Sequence, residues 1–300
     1  MSSPEPATAG RGGREAPVSR PRPAPESRPA LGLSLLGSEL VTLFRRWRTW
    51  AMLGALALIP ILIGIAIRVA GPAGSGRGPA FLDQIAGNGL FVGVTALVVA
   101  TPLFLPLTIA VVSGDTIAGE ASLGTLRYLL LAPAGRIRLL VVKYLVAAAF
   151  CVAAALVVVI VGTLVGWALF PVGPVTLLSG GQVSVGEGLL RFLAIGAYVA
   201  VSMLGLSAIG LFASTLTVVP VGAMAATAIL AVSAQIVGAI PQLEWIHPFL
   251  FTDRWFDFAD LLRSPPAWES FADNALLQGA YIAVFGGLAA WRLATRDILS

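Results

Sequence analysis

The chain has 300 residues, of which 57% are hydrophobic and 11% charged, with a mean hydropathy of +0.90. A soluble domain carries about 25% charged residues, so this composition excludes a water-soluble fold and calls for a lipid bilayer. The formal charge of +4 is too small to suggest a nucleic-acid partner, and where the charges fall says more than their sum.

Residues 1–30, rich in Pro, Arg, Ser and Ala, cannot bury enough apolar surface to fold and are expected to be a disordered cytoplasmic tail. They lack the apolar run of a signal peptide. From Leu31 to Trp47 the pattern changes. Leu36, Leu40, Phe44 and Trp47 recur at helical spacing, with Glu39, Thr42, Arg45 and Arg46 between them. This predicts an amphipathic helix in the inner membrane interface, leading through Arg48, Thr49 and Trp50 into the first span.

Six apolar runs approach or exceed the length of about 20 residues that a spanning helix needs. They are Trp50–Ile67, Leu90–Ser113, Leu139–Phe170, Leu189–Ala213, Val218–Ile240 and Ala275–Ala294. The third would make a helix of about 48 Å against a hydrocarbon core of about 30 Å, and is expected to project past Lys143, whose stem can snorkel. Only Ser214 to Thr217 joins the fourth and fifth, which predicts an antiparallel hairpin. With the N-terminus inside, the inner segments hold fourteen of the nineteen Lys and Arg residues, and nine against five once the tail is set aside. Both termini are therefore expected in the cytoplasm.

Pro60, Pro102 and Pro106 lie within spans and tend to kink helices. Gly89/Gly93 and Gly162/Gly166 are GxxxG pairs that would allow close helix contact. No acid, base or histidine lies deep in a span, which argues against a proton- or sodium-driven transporter and against an intramembrane protease. Cys151 reads as a small core hydrophobe, and the single histidine, His247, lacks the convergent ligands of a metal site. No Gly-x-x-x-x-Gly-Lys-Ser/Thr loop is present, so no nucleotide, cofactor or metal is expected on this chain itself. Between the last two spans, residues 241–274 mix aromatics with six acids and two arginines. Trp245, Phe251, Trp255 and Phe256 there suit either an outer gate or an interfacial anchor.

The densest local pattern runs from Asp115 to Lys143. Asp115 or a neighbour would cap a short helix, Glu120 near its start would suit the positive helix end, and Leu123, Leu126 and Leu130 would form one stripe. Pro133 would end that helix and open the next, ahead of Arg136 and Arg138. The sequence Glu120-x-x-x-Gly124-Thr125-Leu126-x-x-Leu129-Leu130-x-x-Pro133-x-x-Arg136 followed by Lys143 resembles the signature of type-2 ATP-binding-cassette exporter permeases. The span order and the basic ending Arg292…Arg296-Asp297-Ile298 are similar as well, while Ala134-Gly135 departs from the family's usual Val-Ser.

The resemblance implies an all-α integral membrane fold. Six transmembrane helices follow an interfacial amphipathic helix, and a short cytoplasmic coupling helix lies between spans 2 and 3. Residues 31–300 would be the permease domain. Glu120, Gly124, Thr125, Leu126, Arg127, Pro133, Arg136 and Lys143 would serve coupling to a separate ABC ATPase subunit, which would bind the ATP. A second permease copy, in a homodimer or heterodimer, and the lipid of a bacterial plasma membrane complete the expected partners. The cargo would be lipid-like, amphipathic or a drug. The reading from a different class is a non-transporting membrane scaffold or assembly factor.

Overall fold

The computed structural model describes residues 31–70, 88–124 and 135–295. The expected disordered tail, Arg77 and Arg296-Asp297-Ile298 lie outside the described residues. Among the described residues the chain runs through α1 (Leu31–Arg45), α2 (Trp47–Ala70), α3 (Phe91–Ala100), α4 (Phe104–Ser122), α5 (Arg136–Leu169), α6 (Val185–Ser202), α7 (Leu204–Leu216), α8 (Pro220–Gly238) and α9 (Trp268–Thr295). Two short strands, β1 (Val175–Thr176) and β2 (Gln182–Val183), pair antiparallel between α5 and α6, a small exception to the all-α expectation. Two 3₁₀ stretches, Pro241–Phe249 and Asp253–Leu262, fill the connection from α8 to α9.

Six helices among the described residues are long and apolar enough to cross a membrane: Trp47–Val69, Phe104–Ser122, Arg136–Leu169, Val185–Leu216, Pro220–Gly238 and Trp268–Thr295. Their number and order are those read from the sequence. Two differ in construction. The run expected as one span over Leu90–Ser113 is divided into α3 and α4, because Pro102 has no N–H to continue the ladder and Leu103 leaves the helical region at φ −133°, ψ −55°. Pro106 then falls in the first turn of α4, where a missing donor costs nothing. The Pro102 carbonyl accepts Gln235 Nε2 from α8 at 2.7 Å, so the break keeps its backbone satisfied in an apolar setting. The fourth span is likewise broken at Met203, between α6 and α7. Pro60, by contrast, leaves α2 continuous.

α5 is the axis of the bundle and packs against α1, α2, α3 and α6. Its Phe150, Cys151, Ala154, Ala155 and Val158 are wholly buried. The two GxxxG pairs meet each other: a Cβ on Gly162 would lie 2.5 Å from Gly93 Cα, and one on Gly93 would lie 2.8 Å from the Val159 carbonyl. A Cβ on Gly166 would come closer still to the Gly89 carbonyl. Small residues here let the α3 and α5 backbones touch.

This contact gives a direct test. Gly162→Val forces backbone apart and should destabilise the protein by about 1–3 kcal/mol, the usual cost of overpacking. Gly54→Val, where a side chain meets nothing within 4 Å, should leave thermal unfolding of the purified protein unchanged.

Candidate coupling site at the α1–α4–α5 end

The site begins with an elbow. α1 ends at Arg45, and its last carbonyls would be orphaned. The first residues of α2 take them up: Thr49 Oγ1 donates to the Leu43 carbonyl and Trp50 Nε1 to the Phe44 carbonyl, each at 2.7 Å. α1 and α2 are thereby joined at a fixed corner. Leu36, Leu40 and Phe44, read from the sequence as the apolar stripe of an interfacial helix, pack against the core of the bundle. Trp47 does not: it is 84% exposed, because the helix breaks at Arg46 and restarts.

Glu39 was expected on the polar face of α1, yet it turns into the bundle. Its Oε2 accepts from Lys143 Nζ at 2.8 Å, and Glu120 Oε1 accepts from the same ammonium. Lys143 is only 6% exposed. The snorkelling expected of it is therefore replaced by a clasp in which one α5 lysine holds α1 and the end of α4. A buried ammonium is too costly to leave unpaired, and two carboxylates offset that cost.

A second ion pair ties the start of α2 to α4: Arg48 donates to Asp115 Oδ2 at 3.1 Å, with Arg46 at 3.5 Å from the same oxygen. Arg136, at the start of α5, donates to the Leu293 and Ala294 carbonyls at 3.1 and 3.0 Å. It thus caps the C-terminal end of α9, as a cation is suited to do. Between these contacts lies a cavity of about 280 Å³ lined by Glu39, Arg46, Asp115, Glu120, Lys143 and Pro220, among others.

These positions correct the local reading of residues 115–124. Asp115 caps no short helix, and Glu120 does not begin one; both belong to α4, which runs on to Ser122. The helix then stops, and Gly124 has a φ of +71°, a left-handed turn suited to glycine. Thr125, Leu126, Arg127 and Pro133 lie outside the described residues, as does the helix expected there. Of the remaining expected coupling residues, the structure brings together Glu120 and Lys143, while Gly124 and Arg136 border the same connection. The sequence reading missed Glu39 and Arg48 as partners. One signal was present: the chain's single lysine, set in an apolar helix, needed a carboxylate from elsewhere.

At the opposite end the four expected gate aromatics do not form one group. Phe251 and Trp255 are buried and meet edge to face at 5.8 Å, whereas Trp245 and Phe256 are exposed. The Asp253–Leu262 stretch runs back along α6, with Arg191 donating to the Leu261 and Arg263 carbonyls, Tyr198 to Arg254 and Trp255 to Ser202. His247 Nε2 lies 3.2 Å from the Val237 and Ile240 carbonyls at the end of α8. Burial pushes the Asp257 carboxyl above its ordinary range; Arg254 opposes this, while Asp253, Asp260 and Asp273 add to it.

Two outcomes follow. Lys143→Met leaves two carboxylates facing each other and should cost about 3–5 kcal/mol. Adding Glu39→Gln to that variant should recover part of the loss in a double-mutant cycle read by chemical unfolding. Asp257 is ionised at a cost in the folded protein, so its contribution falls as pH rises from the ordinary carboxylate value through its raised one. Asp257→Asn should flatten the stability–pH curve in the window just above about pH 4, measured by thermal unfolding.

A sequence model of the ABC-2 family transporter proteins matches residues 35–237, more than half of the chain and the whole of the clasp. No curated protein matches it significantly. The chain therefore belongs to the ABC-2 transporter family, as a multi-pass membrane component without ATPase activity of its own, in a family that relies on an ATPase partner.

Proposed function

We propose that this chain is the permease of an exporter, drawing its energy from ATP bound and hydrolysed by a separate subunit. The observation that carries the reading is the clasp: Lys143 gathers α1, α4 and α5 beside the connection that runs from Ser122 to Arg136. In this reading that connection forms a coupling helix which docks in a groove of the ATPase, with Arg127 at the contact. The clasp and the α1–α2 elbow then carry the push into three helices at once. α1 lies in the inner membrane interface, both termini are cytoplasmic, and residues 1–30 form a tail ahead of a permease domain over 31–300.

Two permease copies enclose the path, in a bacterial plasma membrane. The absence of charged groups deep in the spans suits an amphipathic or lipid-like cargo, or a drug, moved outward. Phe251 and Trp255 anchor the outer segment in the core, which leaves Trp245 and Phe256, of the four, exposed where they can meet cargo.

The test is the pair reconstituted in proteoliposomes with a panel of amphipathic dyes. Arg127→Glu should keep the permease folded and lower dye export at least about tenfold, while ATP hydrolysis by the ATPase persists. Normal export by that variant contradicts the docking assignment, and selective export of a small inorganic ion contradicts the cargo class.

A further inference from the structure

Two adjacent backbone amides in α4 donate to a side chain of a different helix. Ile117 N–H and Ala118 N–H lie 2.8 and 2.9 Å from Ser214 Oγ, near the end of α7. In an uninterrupted α-helix these donors point at the carbonyls of Ser113 and Gly114. The Ser113 carbonyl accepts the Thr116 hydroxyl, at 2.6 Å. Ser214 is completely buried. A side chain that inserts into the helical ladder is a known cause of bending.

What lies on either side of the insertion matters. Above it α4 is held: a Cβ on Gly114 would lie 2.8 Å from the Met224 nitrogen of α8, and Gly210 of α7 faces Ser113 with no room for a side chain. Below it, Gly119 to Ser122 form the tip of α4, gripped by the Glu120–Lys143 pair. A bend between a held segment and a gripped tip would separate the amides of residues 117 and 118 from their own carbonyls. In an apolar interior that is costly unless another acceptor is at hand. Ser214 supplies one oxygen for both amides.

We propose that Ser214 is a positioning residue: its hydroxyl makes residues 113–118 a hinge, about which the α4 tip tilts relative to the rest of the span. The inference rests on the coupling reading only for what drives the tilt; the hinge itself is a property of this chain.

The experiment places spin labels at Leu107 and Leu123, both exposed, in a Cys151→Ala background. Labelled chain is diluted with unlabelled chain in nanodiscs. The labels sit about 24 Å apart along a straight helix, within range of pulsed dipolar spectroscopy. In the permease alone, Ser214→Ala should narrow the distance distribution, and Ser214→Thr, which keeps the hydroxyl, should restore the wild-type profile. An Ala variant with the wild-type width overturns the proposal. With the ATPase and a non-hydrolysable ATP analogue, the wild-type distance should shift and the Ala variant should not. Equal shifts in both overturn the hinge and leave coupling intact. An ATPase that fails to bind refutes the docking reading, and the comparison without ATPase still decides the hinge.

Discussion

Lys143 is charged, buried and set in a helix that is apolar for most of its length. A buried ammonium without a partner would cost several kcal/mol, so the protein must bring carboxylates to it. They come from two helices distant in sequence, Glu39 of α1 and Glu120 of α4. This one requirement fixes how α1, the second span and the third span meet. The elbow bonds of Thr49 and Trp50 extend the constraint to α2, the Arg48–Asp115 pair doubles it, and Arg136 brings in the end of α9. The end of the bundle beside the α4–α5 connection is therefore one fastened unit.

The proposed coupling needs the rest of the molecule to give way when that unit moves. α5 runs for 34 residues, about 51 Å, from the clasp to the far end. Two spans are interrupted, at Pro102–Leu103 and at Met203, and in both places side chains from other helices satisfy the freed backbone. At Met203 the α8–α9 connection and α9 reach in: Trp255 donates to the Ser202 carbonyl, and Asn274 donates to the Ser202 hydroxyl. Broken helices with satisfied backbone can change shape in a bilayer without exposing polar groups to lipid. Close glycine packing between α3 and α5 keeps the axis itself rigid.

Much of this was legible in the sequence. Apolar run length gave the six spans in order, and helical spacing put Leu36, Leu40 and Phe44 on one stripe of α1, which the structure turns to the core. The GxxxG pairs were visible, though a single pattern does not say what it packs against; the structure sets one pair on the other. Where the sequence reading failed, the missing quantity was a distance between remote residues. Asp115 and Glu120 were read as the start of a loop helix because polarity rises there, yet α4 continues since each acid finds a cation, Arg48 or Lys143, from another helix. Lys143 itself was read as reaching for water because its run is too long for one crossing of the bilayer. Ser214, read as part of a tight turn, works through amides almost a hundred residues away. Aromatic composition could not separate Phe251 and Trp255, which are buried, from Trp245 and Phe256, which are exposed.

The central claim is that α1, the end of α4 and the start of α5 move as one body when the ATPase pushes on the connection between Ser122 and Arg136. Its most direct test is a structure of the permease–ATPase complex by electron cryo-microscopy, without nucleotide and with ATP trapped. The account predicts that the ATPase grips that connection in both states, and that the three segments shift together with both Lys143 ion pairs intact. An ATPase seated elsewhere, or an α1 that parts from Lys143 on ATP binding, would contradict it.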